Sequence, residues 1–291
     1  MPLGDHGDVT QSKPIDVYAV VPTLRNASSI KWVVTNALRF CDKVVVVDGG
    51  SDDETASLAA AAGAVVFTDP KYIGKGNALR VGFAHAFDLG ARLVVTLDGD
   101  GQHNPTDIPV LMQKDDPDHT GNHIVNGSRF LLESNISKFA ISRYLGNRIV
   151  TYAVARLLRI EISDALSGMR LYPMHLLKRL NLKSEGFGID VELLIEGQHA
   201  GAIISEAGIC ANNGEKHQFI PRNMMLEVLG ALINYLEDGC GKDHQFLSEI
   251  RRNMAHRLNF VMKLDPQLGL GRPNLNCTYL KALDSYELAL N

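Results

Sequence analysis

The chain has 291 residues, of which 45% are hydrophobic and 21% are charged, a balance typical of a soluble globular protein. Its formal net charge of −4 at pH 7 argues against a nucleic-acid-binding protein, because nucleic-acid-binding domains are usually basic. The length suits one large α/β domain, or one such domain with an appendage.

The N-terminal and cysteine patterns bear on where the protein works. The first residues, MPLGDHGDVTQSKPID, contain no apolar core and therefore do not predict a signal peptide. No apolar stretch approaches the roughly 18–20 residues that a membrane-spanning helix needs. The four cysteines form neither a CxxC pair nor a zinc-site spacing, which is typical of a chain kept reduced. We expect a cytoplasmic protein whose membrane contact, if it has any, is peripheral and on the cytoplasmic face.

The first half of the chain alternates apolar runs with amphipathic segments. Four runs predict buried strands: VYAVVP (17–22), KVVVVD (43–48), AVVFT (64–68) and RLVVTLD (92–98). Three helices are predicted between them, over 28–40, 51–63 and 74–90, and in the second of these Ser51 stands as N-cap with Glu54 at the capping-box position. This order predicts an α/β fold with a doubly wound, mostly parallel sheet, whose ligands bind at the carboxyl ends of the strands.

The second half is less regular. We predict strands over 124–130 and 202–209, helices over 138–159 and 188–201, and a loop with a short strand in ISDALSGMRLYP (162–173). Residues 1–15 predict a flexible arm, and residues 16–221 form the α/β domain. Residues 222–291 predict a helical extension with amphipathic helices. We expect this extension to pack on the domain, on a partner subunit of a homo-oligomer, or on an anionic membrane surface.

Two carboxylates and an amide follow the fourth predicted strand, in the segment LDGDGQH. Gly99 and Gly101 allow a tight turn there, which can gather the side chains of Asp98, Asp100 and Gln102 around one point. Carboxylate and amide oxygens are hard ligands that suit Mg²⁺ or Mn²⁺. A solvated acidic turn is the alternative. The metal site is favoured because the segment ends a buried strand in a doubly wound sheet, where ligands bind.

Five motifs in order carry a family resemblance. VVDGGSDDET, GKGNALRVGFAHA, LDGDGQHNP, NGSRF and SDALSGMRLYP resemble glycosyltransferase family 2, which has the GT-A fold. More narrowly, they resemble its dolichyl-phosphate mannose synthase and polyprenyl-phosphate glycosyltransferase branch, over about residues 16–210. The resemblance implies a metal-dependent, inverting transfer of a sugar from a nucleoside-diphosphate sugar. The favoured acceptor is a polyprenyl or dolichyl phosphate, and the cofactor is Mg²⁺ or Mn²⁺.

The resemblance also implies roles around the metal. Asp100 and Gln102 should hold the divalent ion, which would bridge the diphosphate of the donor. Asp98 should lie beside the nucleotide and take part in catalysis. His103, which follows the motif, is expected to support the site without binding the metal.

Nucleotide-binding roles fall on Pro22, Thr23, Asp48 and Lys75, in addition to Asp98. Pro22 and Thr23 match the wall of the base pocket, and Asp48 matches the strand-end aspartate that binds the nucleoside. Lys75, in GKGNA, would face the nucleotide, although these glycines are equally typical of a plain strand-to-helix turn. The chain departs from the family pattern in the base and ribose pocket, at Arg25, Asn26 and Gly49. UDP and GDP sugars therefore both remain candidates.

Acceptor roles fall on Arg129, Arg143 and Asp164. Arg129 and Arg143 match phosphate-binding arginines of the polyprenyl-phosphate branch, and guanidinium forks suit phosphate oxygens. Asp164 would be the general base if the acceptor were an alcohol, whereas a phosphate acceptor needs no base and Asp164 would then position the acceptor or an arginine. Transfer to a soluble hydroxyl acceptor and a non-catalytic sugar-nucleotide-binding protein remain the alternatives.

Overall fold

The computed structural model describes residues 16–115, 121–136, 139, 141–212 and 228. The predicted N-terminal arm and, apart from Val228, the predicted helical extension lie outside these residues. The described part begins with strand β1 (Val17–Thr23), followed by α1 (Ile30–Ala37), β2 (Lys43–Asp48), α2 (Thr55–Ala61), β3 (Val65–Thr68), α3 (Lys75–Asp88), β4 (Leu93–Thr96) and α4 (Ile108–Lys114). It continues with β5 (His123–Ser128), α5 (Glu133–Ile136), α6 (Ile141–Leu158), β6 (Arg170–Pro173), α7 (Met174–Leu177), α8 (Ile189–His199) and β7 (Ile203–Gly208).

The strands of the described residues form one seven-stranded sheet in the order β3-β2-β1-β4-β6-β5-β7. Strands β1 to β4 are all parallel, as are β5 and β7, whereas β6 runs antiparallel to both of its neighbours. The predicted α/β class and mostly parallel sheet are therefore confirmed. The carboxyl ends of β1, β2 and β4 meet at one edge, where such sheets bind ligands.

Both faces of the sheet are covered, because alternate residues of a strand point to opposite sides. Val21 of β1 packs in one apolar cluster with the buried side of α1, and Val20 packs in the other with α3. Each fully buried valine stabilises the fold by about 1.5–3 kcal/mol. Gly82 allows the close approach of α3, since an added Cβ would overlap the Val20 side chain. This double packing fixes the strand ends that carry the polar residues.

The predicted start of the second helix is wrong by about one turn. Helix α2 begins at Thr55, and Ser51 does not cap it. Instead, the Ser51 backbone N–H and hydroxyl group both donate to the carboxylate of Asp48 at the end of β2. The strand-end aspartate therefore uses the serine that the local pattern assigned to the helix.

Candidate active site

A cavity of about 470 Å³ opens at the carboxyl edge of the sheet, a size common for small-molecule sites. Most of the predicted site residues line it: Pro22, Thr23, Lys75, Asp98, Asp100, Gln102, Arg129 and Arg143. The other two, Asp48 and Asp164, are fully buried and are not among the lining residues. Residues from β1 through α8 thus converge on one space, although they are up to 168 positions apart in the chain (Pro22 to Asp190).

Lys75 joins two carboxylates at the floor of the cavity. Its Nζ atom lies 2.9 Å from Oδ1 of Asp98 and 2.8 Å from Oδ2 of Asp190. Burial opposes the charge on Lys75, but the two carboxylates more than offset this and raise its pKa above the ordinary value. Lys75 is therefore an ammonium ion that fixes Asp98 against α8.

The two carboxylates that share Lys75 respond differently. Burial alone would raise the pKa of Asp98, but Lys75 and then His103 outweigh it, so that the pKa lies well below its usual range. For Asp190 burial prevails, and its pKa is raised in spite of Lys75 and Arg170. Asp98 is therefore the fixed negative charge of the site, and Asp190 is the group whose ionisation is disfavoured.

His103 stands behind Asp98, as expected of a supporting residue. Its Nδ1 atom lies 3.3 Å from Oδ2 of Asp98, but neither ring nitrogen has a hydrogen bond of good geometry within the described part of the chain. Gly168 closes the other side, since a Cβ there would lie 2.7 Å from the Cγ atom of Asp98. The Asp98 side chain is thus confined by a lysine, a histidine and a glycine.

Asp100 and Gln102 offer oxygen atoms to the same cavity. The Asp100 carboxylate accepts the Gln102 backbone N–H at 2.9 Å, which shapes the turn. The Gln102 amide oxygen accepts a 2.8 Å hydrogen bond from Nη2 of Arg143. A carboxylate and an amide oxygen fit Mg²⁺ or Mn²⁺, because such ions are commonly held by one or two carboxylates together with substrate phosphates. Among the described residues, no three His, Cys, Asp or Glu side chains form a ready-made metal cluster.

Arg129 is held in place by Asp164. The Arg129 Nε atom donates to Oδ2 of Asp164 at 2.7 Å, and Nη2 donates to Oδ1 at 2.8 Å. Asn147 donates to the same carboxylate at 2.9 Å, and the Leu166 carbonyl accepts from Arg129 at 3.0 Å. Although burial acts in the opposite direction, the Arg129 charge lowers the pKa of Asp164. Asp164 is thus an ionised, fully hydrogen-bonded anchor for a guanidinium group.

Arg143 lies on α6 and adds a second positive charge. Burial, and then repulsion from Arg129, lower the pKa of Arg143 to about 10. Phe139 lies between the two charges, with its ring centroid 5.7 Å from Cζ of Arg129 and 5.5 Å from Cζ of Arg143. Two guanidinium groups in one cavity, across from Asp98 and Asp100, make a site that suits an anion.

The predicted nucleotide-binding residues are arranged in two ways. Pro22 and Thr23 line the cavity, together with Gly49, whose ideal Cβ would lie 3.2 Å from the Ile73 Cα atom. Asp48 lies one residue earlier with its carboxylate turned to Ser51. The structure therefore brings Pro22 and Thr23, but not the Asp48 side chain, to the cavity.

The glycines of GKGNA make room for protein backbone. An added Cβ at Gly76 would lie 2.8 Å from the Ser184 carbonyl carbon, and Gly74 is equally close to Glu185. The Asn77 N–H donates to the Glu185 carbonyl at 3.0 Å. These contacts are those of the plain turn, and they seat Lys75 at the cavity floor.

Sequence reasoning missed Asp190 and Asn147, which both line the cavity. Asp190 is in the first turn of α8, where an acidic residue is ordinarily explained by the helix dipole. The signal that was available is its place between Ile189 and Val191, on a helix that is buried almost throughout. Glu206, expected to be structural, accepts the backbone N–H groups of Ser163 and Asp164, at 2.8 and 3.3 Å.

A comparison with protein families decides the assignment. The model of the family described as "Glycosyl transferase family 2" matches residues 18–180, which is more than half of the chain. The chain belongs to glycosyltransferase family 2. The resemblance predicted from the motifs is confirmed, and this member of the family is a glycosyltransferase.

Two curated relatives and one solved structure place this family 2 protein further. It is 33% identical to glycosyltransferase AglJ of Haloferax volcanii, over 72% of this chain and 62% of AglJ, so that it spans less than two thirds of that protein. It is 26% identical to the UDP-N-acetylglucosamine–dolichyl-phosphate N-acetylglucosaminyltransferase of Methanococcus voltae, over 57% of this chain and 72% of that protein.

The solved structure supports the fold. Glucosyl-3-phosphoglycerate synthase from Mycobacterium tuberculosis, in complex with Mn²⁺, UDP-glucose and phosphoglyceric acid, superposes with a TM-score of 0.59 at 22% identity. The match covers 76% of this chain and 79% of that one, and confirms the GT-A fold. Within the described residues of this family 2 chain, no helix is both long and apolar enough to cross a bilayer.

Proposed function

We propose that the chain transfers a sugar, with inversion, from a nucleoside-diphosphate sugar to the phosphate of a polyprenyl or dolichyl phosphate, with Mg²⁺ or Mn²⁺ as cofactor. The observation that carries the proposal is the pair Arg129 and Arg143 in the cavity that also holds Asp98 and Asp100. The acidic side suits a metal with a nucleotide diphosphate, and the basic side suits a second anion. The relative from Methanococcus voltae, named for a dolichyl-phosphate acceptor, supports the choice of that anion.

On the donor side, Asp100 and Gln102 hold the metal, and Pro22 and Thr23 form the wall for the nucleoside. When bound, the metal supplies Lewis-acid stabilisation of the leaving nucleoside diphosphate. Lys75 keeps Asp98 ionised and in place beside the nucleotide. Asp48 supports this side through the β2 end, because its carboxylate fixes the loop that follows Gly49.

On the acceptor side, the guanidinium groups of Arg129 and Arg143 hold the phosphate monoester. A phosphate oxygen forms a bond to the anomeric carbon while the bond from that carbon to the diphosphate oxygen breaks. The electron pair of the broken bond leaves with the nucleoside diphosphate. Because attack comes from the side opposite to the leaving group, the configuration inverts. No proton has to be removed from the acceptor, since a phosphate monoester is already an anion at pH 7.

The contacts of Asp164 favour this acceptor over an alcohol. An alcohol needs a general base with a pKa near the working pH. The pKa of Asp164 is lowered, and its carboxylate already accepts from Arg129 and Asn147. We therefore assign Asp164 the role of positioning Arg129. Since the acceptor carries a lipid chain and the donor is water-soluble, we place the reaction at the cytoplasmic face of a membrane.

Binding and transfer together test the proposal. Calorimetry of the full chain with UDP, GDP and CMP sugars, with and without Mn²⁺, should give binding of one donor that depends on the metal. Incubation of that donor with extracted lipid phosphate and with free sugars should then give a glycosylated lipid phosphate. Failure of every sugar nucleotide to bind in the presence of Mn²⁺ would reject the transferase chemistry, and transfer to free sugars alone would reject the acceptor.

A further inference from the structure

One hydrogen bond joins the two sides of the cavity. Nη2 of Arg143, on the acceptor side, donates to the amide oxygen of Gln102, on the metal side, at 2.8 Å. The two residues are 41 positions apart, on α6 and in the loop after β4. A side chain proposed to hold the acceptor phosphate is therefore bound to a side chain proposed to hold the metal.

This hydrogen bond opposes the binding of a metal. The amide oxygen is the only atom of the Gln102 side chain that can accept a hydrogen bond or coordinate a cation. A guanidinium ion on that oxygen occupies one of its lone pairs and places a positive charge where a divalent cation would bind. Repulsion between the two cations weakens metal binding while this arrangement lasts.

Arg143 is also the arginine that an incoming anion can move. Arg129 is paired with the carboxylate of Asp164, whereas Arg143 donates to a neutral amide. Burial and repulsion from Arg129 lower the pKa of Arg143, which means that its positive charge is poorly compensated. A phosphate that reaches the two arginines compensates this charge and offers Arg143 a stronger acceptor than an amide oxygen.

We propose that Arg143 couples the two substrates: the acceptor phosphate draws Arg143 away from Gln102, which frees the amide oxygen for the metal that binds the donor. This inference rests on the proposed function and adds an energetic link between its two halves. By thermodynamic linkage, phosphate then tightens metal binding by the same factor by which the metal tightens phosphate binding.

The experiment measures Mn²⁺ binding by the full chain, with free Mn²⁺ followed by electron paramagnetic resonance. Trp32 is a second reporter, because it is the only tryptophan and its ring lies 3.8 Å from the ideal Cβ position of Gly101. Inorganic phosphate or farnesyl phosphate should tighten Mn²⁺ binding about fivefold or more, the lower end of typical coupling.

The Arg143→Met variant gives the decisive value. It should bind Mn²⁺ more tightly than the wild type when no phosphate is present, and added phosphate should then change this affinity less than about twofold. Arg148→Met is the matched control, since Arg148 lies on the same helix but does not line the cavity. It should bind Mn²⁺ and respond to phosphate as the wild type does.

Two results would overturn the coupling. One is unchanged or weaker Mn²⁺ binding by Arg143→Met without phosphate, which means that Arg143 does not compete for Gln102. The other is an undiminished phosphate effect in that variant, which means that phosphate meets the metal directly. If either occurs while the wild type still transfers sugar with Mn²⁺, the coupling fails and the proposed function stands. If the wild type binds no Mn²⁺ at all, both fail.

Discussion

The carboxylate of Asp164 grips the guanidinium group of Arg129 with two parallel hydrogen bonds, of 2.7 Å to Oδ2 and 2.8 Å to Oδ1. The pair is buried, and Asn147 holds the carboxylate from a third direction. Bidentate pairing fixes the plane of the guanidinium as well as its position. The remaining edge of Arg129 is therefore presented to the cavity in one orientation.

Replacement of Asp164 with asparagine separates a positioning role from a base role. We expect the KM for lipid phosphate to rise about tenfold or more in Asp164→Asn, with a smaller loss of kcat, because Arg129 loses its anchor but no proton transfer is affected. Steady-state kinetics with farnesyl phosphate measure both constants. A fall in kcat of about 10²–10⁴-fold at unchanged KM, the usual cost of losing a general base, would contradict the positioning role.

The same variant has a stability signature that depends on pH. At pH 7 we expect Asp164→Asn to lower the free energy of unfolding by about 3–5 kcal/mol, the usual cost of breaking a buried ion pair. The folded-state pKa of Asp164 is lowered, so its contribution is complete above the unfolded-state pKa of about 4 and is lost as the pH falls towards the folded-state pKa. Urea unfolding should therefore give a constant difference between the two proteins from pH 7 to 5, which shrinks below pH 4. A difference that grows on acidification would contradict this account.

Removal of Asp100 tests the metal site. Asp100→Ala should weaken Mn²⁺ binding by at least about 10–100-fold, since losing even an outer-shell partner of a metal costs that much. The measurement is a Mn²⁺ titration followed by electron paramagnetic resonance. Asp88→Ala is the control, because Asp88 is exposed at the end of α3, away from the cavity. Equal Mn²⁺ affinity in the two variants would place the metal elsewhere.

The close packing around Asp98 gives a test that adds only one methyl group. An alanine Cβ at position 168 would lie 2.7 Å from Cγ of Asp98, so that the carboxylate must move away from Lys75. We expect Gly168→Ala to reduce transfer at least about tenfold. Gly208→Ala should retain activity, because its Cβ meets the flexible Leu132 side chain at 3.1 Å. Comparable activities of the two variants would show that the Asp98 position is not critical.

Lys75 offers a further test of the cavity floor. In Lys75→Met, Asp98 and Asp190 lose the ammonium ion that they share, and we expect the free energy of unfolding at pH 7 to fall by about 3–5 kcal/mol. Lys75→Arg should recover part of this loss because it keeps the charge. The exposed Lys31→Met should change the unfolding free energy by less than about 0.5 kcal/mol. Urea unfolding would contradict the role of Lys75 if its methionine variant behaved like that of Lys31.

Much of the fold could be predicted from local patterns. The strands β1 to β4 follow from continuously apolar runs, and their parallel arrangement follows from the helices between them. The direction of β6 could not be predicted, because Arg170–Pro173 is short and its partners are remote in sequence. The start of α2 was misplaced because Ser51 bonds to Asp48, a competing acceptor that a helix-capping pattern does not include.

The candidate site was predictable as a set of residues but not as a network. Strand ends and motifs identified Asp98, Gln102 and Arg143, since each belongs to a recognisable segment. The partners were hidden by distance: Lys75 meets Asp190 across 115 positions, and Arg143 meets Gln102 across 41. Such pairings depend on how the sheet brings its loops together, which local spacing does not encode.

The acceptor is the central claim, and a direct comparison of two acceptors tests it. The full chain, with Mn²⁺ and the radiolabelled sugar nucleotide that it binds, is given either farnesyl phosphate or farnesol, which differ only in the phosphate. The account predicts that label passes to farnesyl phosphate and not to farnesol, and that Arg129→Met abolishes this transfer. Label passing to farnesol, or to farnesyl phosphate equally well in Arg129→Met, would contradict it.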